Sequence, residues 1–185
     1  MRIIAGKFRS RQLKSLKGLA LRPTSDMLRE TLFNILGPRV EESRFLDLFA
    51  GTGAVGIEAL SRGAISAVFV ENHPAAVRII RENLASLEIK SEARIIASAV
   101  TPALAKLQEE RAAVFDFIFL DPPYANENDY ESTFHSLENS SLVAESTIVI
   151  AEHHKKSPLA KSIGHLEQFR ILPQGDASLS FYKPV

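Results

Sequence analysis

The stretch from Phe45 to Leu60 reads Phe-Leu-Asp-Leu-Phe-Ala-Gly-Thr-Gly-Ala-Val-Gly-Ile-Glu-Ala-Leu. Its apolar start predicts a buried strand, its glycines predict a tight turn, and the residues that follow predict a helix. Glycine tolerates positive φ and lets a ligand approach bare backbone, while a helix N-terminus directs free N–H groups at the same place. We therefore predict a ligand site at this turn, with Gly51, Gly53 and Gly56 in contact with the ligand.

The glycine spacing alone leaves two classes of ligand open. It fits the G-x-G-x-x-G of a nicotinamide or flavin site, in which an acid about 20 residues further on binds the ribose. Glu71 occupies that position. Asp47 argues against a dinucleotide, because it places an acid near the end of a strand that such folds usually keep apolar. A second motif decides between the two classes.

That second motif, Asp121-Pro122-Pro123-Tyr124, follows the apolar run Val114 to Leu120. The run predicts a buried strand, and the two prolines predict a sharp turn at its end. Together the two motifs resemble class I methyltransferases that use S-adenosylmethionine and methylate planar nitrogens. Over nearly the whole chain the sequence resembles the RsmD-type guanine-N2 methyltransferases of small-subunit (16S) ribosomal RNA. The further segments that carry this resemblance are Arg22-Pro23-Thr24-Ser25-Asp26, Arg29-Glu30-Thr31-Leu32-Phe33-Asn34 and Glu58-Ala59-Leu60-Ser61-Arg62.

The resemblance implies S-adenosylmethionine as the cofactor and assigns roles to individual residues. Glu71 is expected to accept hydrogen bonds from the ribose hydroxyls, and Thr24 either contacts the methionine end or only caps a helix. Asp121 and the Pro122 carbonyl are expected to accept the hydrogens of the guanine amine, and Tyr124 to stack on an extruded base. The expected cofactor-binding residues are Thr24, Asp47, Gly51, Gly53, Gly56, Glu71, Asn72, Ser98 and Asp121, and the expected catalytic residues are Asp121, Pro122, Pro123 and Tyr124.

The segment Ala97-Ser98-Ala99-Val100 departs from the family pattern. Related enzymes usually carry an acid or Asn followed by Ala there, near the adenine amino group. Without that carboxylate, recognition of adenine would depend on backbone amides or on the Ser98 hydroxyl.

Composition limits the class of protein. A chain of 185 residues with 45% hydrophobic content can bury one full α/β core. It has no cysteine, which excludes disulfides, thiolate zinc sites and a cysteine nucleophile. We find neither an apolar signal core nor an apolar run near the roughly 20 residues that cross a bilayer. The sequence therefore predicts a cytoplasmic protein, monomeric and without a metal or a membrane partner.

Basic residues are concentrated at the N-terminus. Seven of them precede the first acid, Asp26, although the whole chain has zero net charge. A basic segment on an acidic body suits a polyanion held at one face, and a solvated tail is the alternative. We expect RNA to contact Arg2, Lys7, Arg9, Arg11, Lys14 and Arg22, and we divide the chain into a basic arm, 1–22, and a methyltransferase domain, 23–185.

Apolar segments of strand and helix type alternate along the chain. This alternation predicts a Rossmann-like α/β fold with right-handed crossovers. We expect a mainly parallel seven-stranded sheet that ends in an antiparallel C-terminal strand, with a small hairpin before Pro23 outside the sheet. The predicted helices are Ser25 to Leu36, Val55 to Arg62, Pro74 to Leu87, Pro102 to Glu110 and Tyr130 to Leu137. The predicted strands are Phe45 to Leu48, Ala67 to Val70, Ala93 to Ala97, Val114 to Leu120 and Thr147 to Glu152, followed by a hairpin of Leu166 to Leu172 and Leu179 to Tyr182.

Three functions remain open from the sequence. The first is methyl transfer to a guanine N2 in ribosomal RNA. The second is methylation of DNA adenine or protein glutamine by the same tetrapeptide, although no helix for reading a DNA groove is evident. The third is a non-catalytic RNA-binding assembly factor. The run His153-His154-Lys155-Lys156 is interpreted as a solvated or RNA-facing loop rather than a metal site, because adjacent histidines on a strand diverge.

Overall fold

The structure, a computed structural model, describes residues 1–15, 25–123 and 127–185. Its helices are α1 (Asp26–Leu36), α2 (Ala54–Ser61), α3 (Pro74–Ser86), α4 (Val100–Glu109) and α5 (Glu127–Glu138), with a 3₁₀ turn at Gly37–Val40. Its strands are β1 (Arg44–Leu48), β2 (Ser66–Glu71), β3 (Ala93–Ala97), β4 (Phe117–Leu120), β5 (Ile148–His154), β6 (Ser162–Ile163), β7 (Leu166–Gln174) and β8 (Ala177–Pro184). Over the described residues, no helix has the length and apolar character needed to cross a membrane.

All eight strands form one sheet in the order β3-β2-β1-β4-β5-β8-β7-β6. Strands β1 to β5 pair in parallel, and β6 to β8 pair antiparallel at one end. The predicted fold class is therefore confirmed. The sheet has one strand more than the seven predicted, because β6 has only two residues and is too short to leave a periodic signal in the sequence.

Helices cover both faces of the sheet and enclose two apolar layers. Successive residues of a strand point to opposite faces, so β1 contributes Phe45 to one layer and Leu46 and Leu48 to the other. The first layer contains buried residues of α1 and α2, and the second contains those of α4 and α5. The central parallel strands are almost continuously apolar because both of their faces are covered.

Most element boundaries lie within a few residues of the prediction. Strand β4 starts later than Val114, which is 37% exposed and precedes the buried run. Helix α4 starts two residues before Pro102, as proline is tolerated in the first turn of a helix. At α1 the N-cap is Ser25, whose side chain accepts a hydrogen bond from Leu28 N–H. The Thr24 position itself lies outside the described residues.

Residues 1–15, named here the N-terminal segment, form an antiparallel bridge between Arg2 and Gln12, flanked by backbone hydrogen bonds from Ile3 N–H to Arg11 and from Leu13 N–H to Met1. The described residues thus form a short hairpin that lies outside the main sheet, as predicted. Ile3 and Leu13 are buried in the first apolar layer. The segment is therefore anchored by its apolar side chains, while its cations remain at the surface.

Candidate functional site

The ends of β1 and β4 meet at the point where the strand order reverses. Strand β1 pairs with β2 on one side and with β4 on the other, and Leu48 lies opposite Leu120. Phe49 and Asp121 follow these two residues, so they leave neighbouring strands at the same edge of the sheet. In an open α/β sheet this switch point is where ligands bind. The fold thus brings the glycine turn beside Asp121, as the sequence predicted.

The proline motif is described only in part. Asp121 is half-buried, Pro122 is buried and Pro123 is exposed. Tyr124, the residue expected to stack on a base, lies outside the described residues, as do Thr24 and Arg22. Their predicted roles therefore remain predictions.

Gly51 has the geometry expected of a backbone that faces a ligand. Its φ is +55°, and among the described residues a Cβ built on it would meet only the Phe49 carbonyl oxygen, at 4.0 Å. The described part of the chain therefore leaves space above this residue. Its N–H donates to Glu71 Oε2 at 2.8 Å, so an acid at the end of β2 holds the turn in place.

Gly53 and Gly56 have structural reasons to be glycine. A Cβ on Gly56 would lie 2.4 Å from the Phe69 ring, so glycine lets α2 pack against β2. The N–H of Gly56 donates to Asp47 Oδ2, and that of Gly53 to the Ala50 carbonyl. Gly56 is also buried. Gly56 thus has a structural role, because its amide is bonded within the protein and its missing side chain makes room for a phenyl ring, and its predicted contact with a ligand stays a prediction.

The buried side chain of Asp47 bonds to the backbone in the first turn of α2. It is 2% exposed and accepts the Gly56 N–H at 2.8 Å. Burial raises the pKa of Asp47 to about 8, against the lowering effect of the Gly56 hydrogen bond, and the nearby Glu71 charge raises it further. The side chain therefore supports the glycine turn from inside the protein, and the predicted contact of Asp47 with the cofactor stays a prediction.

Glu71, Asn72 and Ser98 come together at a cavity of 230 Å³. Parallel pairing sets Glu71 opposite Ala97, so Ser98 follows directly beside it, and Ser98 N–H donates to the Glu71 carbonyl. The two carboxylate oxygens of Glu71 accept N–H groups of Gly51 and His73, both at 2.8 Å. The open turn and this cavity with an acid at its wall suit a ligand that combines a sugar with a flat base.

Phe49 was not predicted to belong to the site. It has a φ of +60°, which is rare for a bulky residue, and its side chain lines the same cavity. Strained backbone of this kind occurs preferentially at functional sites. The sequence showed only an apolar residue at a strand end, so its positive φ left no signal.

Asn83 is a second residue that the prediction missed. It is buried on α3, and its Nδ2 donates to the carbonyls of Thr52 at 3.0 Å and Lys14 at 3.2 Å. Its Oδ1 accepts Lys14 N–H at 2.8 Å. One side chain thus joins the glycine turn to the N-terminal segment. A signal was present, because Asn83 interrupts the apolar stripe of α3 beside Ile79 and Ile80.

Glu58 fastens the other part of the N-terminal segment to α2. Its two oxygens accept the N–H groups of Ile4 at 2.8 Å and Ala5 at 3.0 Å. Arg62 Nε donates to Oε1 at 2.8 Å, and Arg29 Nε lies 3.8 Å from Oε2. Glu58 and Arg29 are both 0% exposed. A buried charge cluster therefore connects α1, α2 and the N-terminal segment.

The described basic residues of the arm all lie at the surface, as their proposed role requires. These residues are Arg2, Lys7, Arg9, Arg11 and Lys14. They do not form one patch beside the glycine turn. Lys7 N–H bonds to Ser61 at the end of α2, whereas Lys14 is tied through Asn83 to Thr52 before its start. These two attachment points lie near opposite ends of α2, which has 8 residues, so they are separated by about 12 Å along the helix.

His153 corrects the interpretation of the run from His153 to Lys156 as a loop. His153 and His154 end strand β5, and His153 is buried with Nε2 2.8 Å from Ser180 Oγ. Burial lowers the pKa of His153 below its ordinary value. In the described part of the chain, no group of three or more His, Cys, Asp or Glu side chains has the arrangement of a metal site.

Comparison with known proteins identifies the family. The family described as Conserved hypothetical protein 95 matches residues 1–183. A Bacillus subtilis (strain 168) protein described as a candidate rRNA methyltransferase, YlbH, is 35% identical over 183 residues, which are 99% of this chain and 98% of that protein. Ribosomal RNA small subunit methyltransferase D of Escherichia coli (strain K12) is 36% identical over 159 residues, covering 86% of this chain and 77% of the relative.

A solved structure agrees with this result. The Escherichia coli protein yhhF, described as a candidate methyltransferase, superposes with a TM-score of 0.86 and 34% identity, over 100% of this chain and 97% of the other. The sequence matches and the fold therefore indicate the same family. The chain therefore belongs to the Conserved hypothetical protein 95 family, that of the RsmD-type methyltransferases of small-subunit ribosomal RNA.

Proposed function

We propose that the protein transfers a methyl group from S-adenosylmethionine to the exocyclic N2 of one guanine in 16S ribosomal RNA. The observation that carries the proposal is the placement of Asp121 beside the glycine turn, with Glu71 at the wall of the neighbouring cavity. Relatives named ribosomal RNA small subunit methyltransferase D support ribosomal RNA as the substrate class. The choice of guanine N2 rests on the resemblance of the Asp-Pro-Pro-Tyr motif and its flanking segments.

The residues at the switch point suit cofactor binding. Bound S-adenosylmethionine supplies a methyl group that its sulfonium already activates. Oε2 of Glu71 accepts the Gly51 N–H and Oε1 accepts the His73 N–H. Each carboxylate oxygen has a second lone pair, which can accept a hydrogen bond from a ribose hydroxyl. Gly51 leaves room for the ligand against the backbone. Asn72 and Ser98 line the cavity beside Glu71.

The amine of guanine is a weak nucleophile because its lone pair is delocalised into the ring. An enzyme must therefore orient it and accept its hydrogens as the nitrogen becomes pyramidal. In our proposal Asp121 and the Pro122 carbonyl accept these hydrogens. As the nitrogen bonds to the methyl carbon, the carbon–sulfur bond of the donor would break and leave S-adenosylhomocysteine, and the proton released by the nitrogen would pass to the Asp121 carboxylate and from there to solvent. Proline suits this position because it offers a carbonyl without a competing N–H. Tyr124 supplies a flat face for the extruded base, and positioning provides much of the rate enhancement.

RNA contact is assigned to the basic arm, residues 1–22. The exposed cations of the N-terminal segment extend along α2 to the glycine turn, so they can hold RNA phosphates across the edge where the base enters. The remaining domain, 23–185, carries the cofactor. We infer that the protein acts as a cytoplasmic monomer on a small ribosomal subunit or an assembly intermediate, without a metal.

A methyl-transfer assay tests the function. Purified protein is incubated with tritiated S-adenosylmethionine and, in parallel, with unmodified small subunits, naked 16S RNA, a DNA duplex or bulk protein. We expect label in ribosomal RNA, recovered after nucleoside digestion as N2-methylguanosine. Label in DNA or protein, label on another base, or no transfer with cofactor bound would each contradict the proposal.

A further inference from the structure

Thr133 is a buried hydroxyl that the protein itself does not satisfy. It lies on the inner face of α5, in line with the buried residues Tyr130, Phe134 and Leu137. The residue is 1% exposed, and within the described parts of the chain its Oγ1 has no hydrogen-bond partner. A buried polar atom without a partner costs about 1–3 kcal/mol, so its presence requires an explanation.

Helix geometry normally offers such a hydroxyl a partner. A Thr within a helix can bond the carbonyl four residues earlier, as Thr31 does with Met27 at 2.9 Å in α1. For Thr133 the corresponding carbonyl belongs to Asp129, and it accepts the hydroxyl of Ser132 at 3.3 Å instead. Among the described residues, Thr133 Oγ1 bonds neither this carbonyl nor any other group.

Thr133 also lies at the wall of the cavity assigned above to the cofactor. Asp129, Ser132 and Thr133 form the α5 wall of this 230 Å³ space, and residues of one helix at such spacing share a face. The other walls are the end of β2, with Glu71 and Asn72, and the segment from Ser98 to Pro102. A ligand whose ribose meets Glu71 would therefore place its base between α4 and α5.

This cavity is also where the sequence lacks an expected polar group. Ala99, which also lines the cavity, has no polar side chain that could bind an adenine amino group. Helix α5 brings Thr133, whose hydroxyl has no partner among the described residues, to the same cavity from a distant part of the chain. We propose that Thr133 is a specificity-determining residue for the cofactor base, its Oγ1 accepting a hydrogen bond from the adenine 6-amino group. This inference rests on the proposed use of S-adenosylmethionine.

A pair of Thr→Val variants tests the inference, because the described residues include two buried threonines with opposite hydrogen bonding. Thr147 is 0% exposed, and its Oγ1 donates to the Phe115 carbonyl at 2.7 Å and accepts Ala144 N–H at 2.9 Å. Thr133→Val should raise the melting temperature of the ligand-free protein by about 2–4 °C, since it removes an unpaired hydroxyl. It should weaken S-adenosylhomocysteine binding by about three- to tenfold in calorimetry, the loss expected for one hydrogen bond. Thr147→Val should lower the melting temperature and leave this affinity unchanged.

A modified ligand identifies the group that Thr133 recognises. S-inosylhomocysteine carries a 6-oxo group in place of the 6-amino group, so the parent should prefer the adenine compound and Thr133→Val should lose about three- to tenfold of that preference. Thr133→Ser keeps the hydroxyl and should retain it. An unchanged preference in Thr133→Val, or a fall in its melting temperature like that of Thr147→Val, would overturn the inference. If the parent binds and transfers methyl groups but Thr133→Val matches it, only this inference fails, whereas a parent that binds no S-adenosylhomocysteine would overturn the proposed function as well.

Discussion

The glycine turn and the cavity under α5 lie at the same edge of the sheet, but the protein treats their polar groups in opposite ways. At the turn, side chains from β1, β2 and α3 bond the backbone at Gly56, Gly51 and Thr52. At the cavity, the hydroxyl of Thr133 has no partner among the described residues. The difference indicates that the turn is already organised before a ligand binds. In the cavity, the Thr133 hydroxyl would obtain its hydrogen-bond partner only from the ligand. Substitutions at the turn and its supports should therefore lower stability, and substitutions of ligand-facing groups should lower binding or rate.

The largest loss of stability is expected at Glu58, the buried support of the turn helix. Glu58→Ala leaves two backbone N–H groups and Arg62 Nε without their acceptor, and it removes one of the two carboxylates near the buried Arg29, which keeps Asp26 at 3.0 Å. Removing one partner of a buried ion pair typically costs about 3–5 kcal/mol. Urea unfolding of the parent, Glu58→Ala and the exposed control Glu145→Ala measures this loss. A cost of Glu58→Ala no larger than that of Glu145→Ala would show that the cluster does not hold this region together.

Asp121 should show the opposite behaviour, with a loss of rate and little loss of stability. In Asp121→Ala we expect kcat to fall by about 10²- to 10³-fold, as when one preorganised group is removed from a transition state. S-adenosylhomocysteine affinity should stay close to that of the parent, because the proposed role is toward the amine. The control is Asp116→Ala at the other end of the same strand, where Oδ2 accepts Arg44 N–H. Asp116→Ala should lower stability and leave kcat unchanged, and equal kcat losses in the two variants would contradict the assignment.

Asn83 should combine a moderate loss of stability with weaker cofactor binding. Asn83→Leu keeps a similar volume but leaves the carbonyls of Thr52 and Lys14 and one N–H unpaired. We expect a loss of about 1–3 kcal/mol in unfolding free energy. Calorimetry should also show weaker S-adenosylhomocysteine binding, because the turn is less well held. The exposed Asn139→Leu is the control, and unchanged cofactor affinity in Asn83→Leu would mean that the turn does not need this support.

The smallest effect on the folded protein is expected from the surface cations. Neutralising Arg9, Arg11 and Lys14 together should reduce the log-log salt slope of binding to small subunits by about two units, from the loss of three phosphate contacts. Cofactor affinity should not change. The control neutralises Arg78, Lys106 and Lys161, which are exposed outside the N-terminal segment. Equal salt slopes in both triple variants would mean that the N-terminal segment is a solvated surface and that RNA binds elsewhere on the protein.

The predictable parts of the protein were those with a local signal. Alternating apolar segments located the main helices and strands, and the glycine and proline motifs located the edge where they meet. The contacts that the sequence did not reveal have one feature in common, since they join residues that are far apart in the chain. The spacing of the glycines does not reveal that Gly56 packs against Phe69, a residue 13 positions further along the chain. His153 was placed in a loop because its buried partner, Ser180, is 27 residues away.

The sequence by itself determined the fold class, the family and the edge of the sheet at which the site lies, because these depend on periodicity and on residues close together in the chain. Only the tertiary structure decided which polar groups are already used. Asn83 reaches Thr52 across 31 residues, and Glu58 reaches Ile4 across 54. Whether a side chain supports the site or faces a ligand depends on which partners folding brings within about 3 Å, and hydrogen bonds act only over that distance.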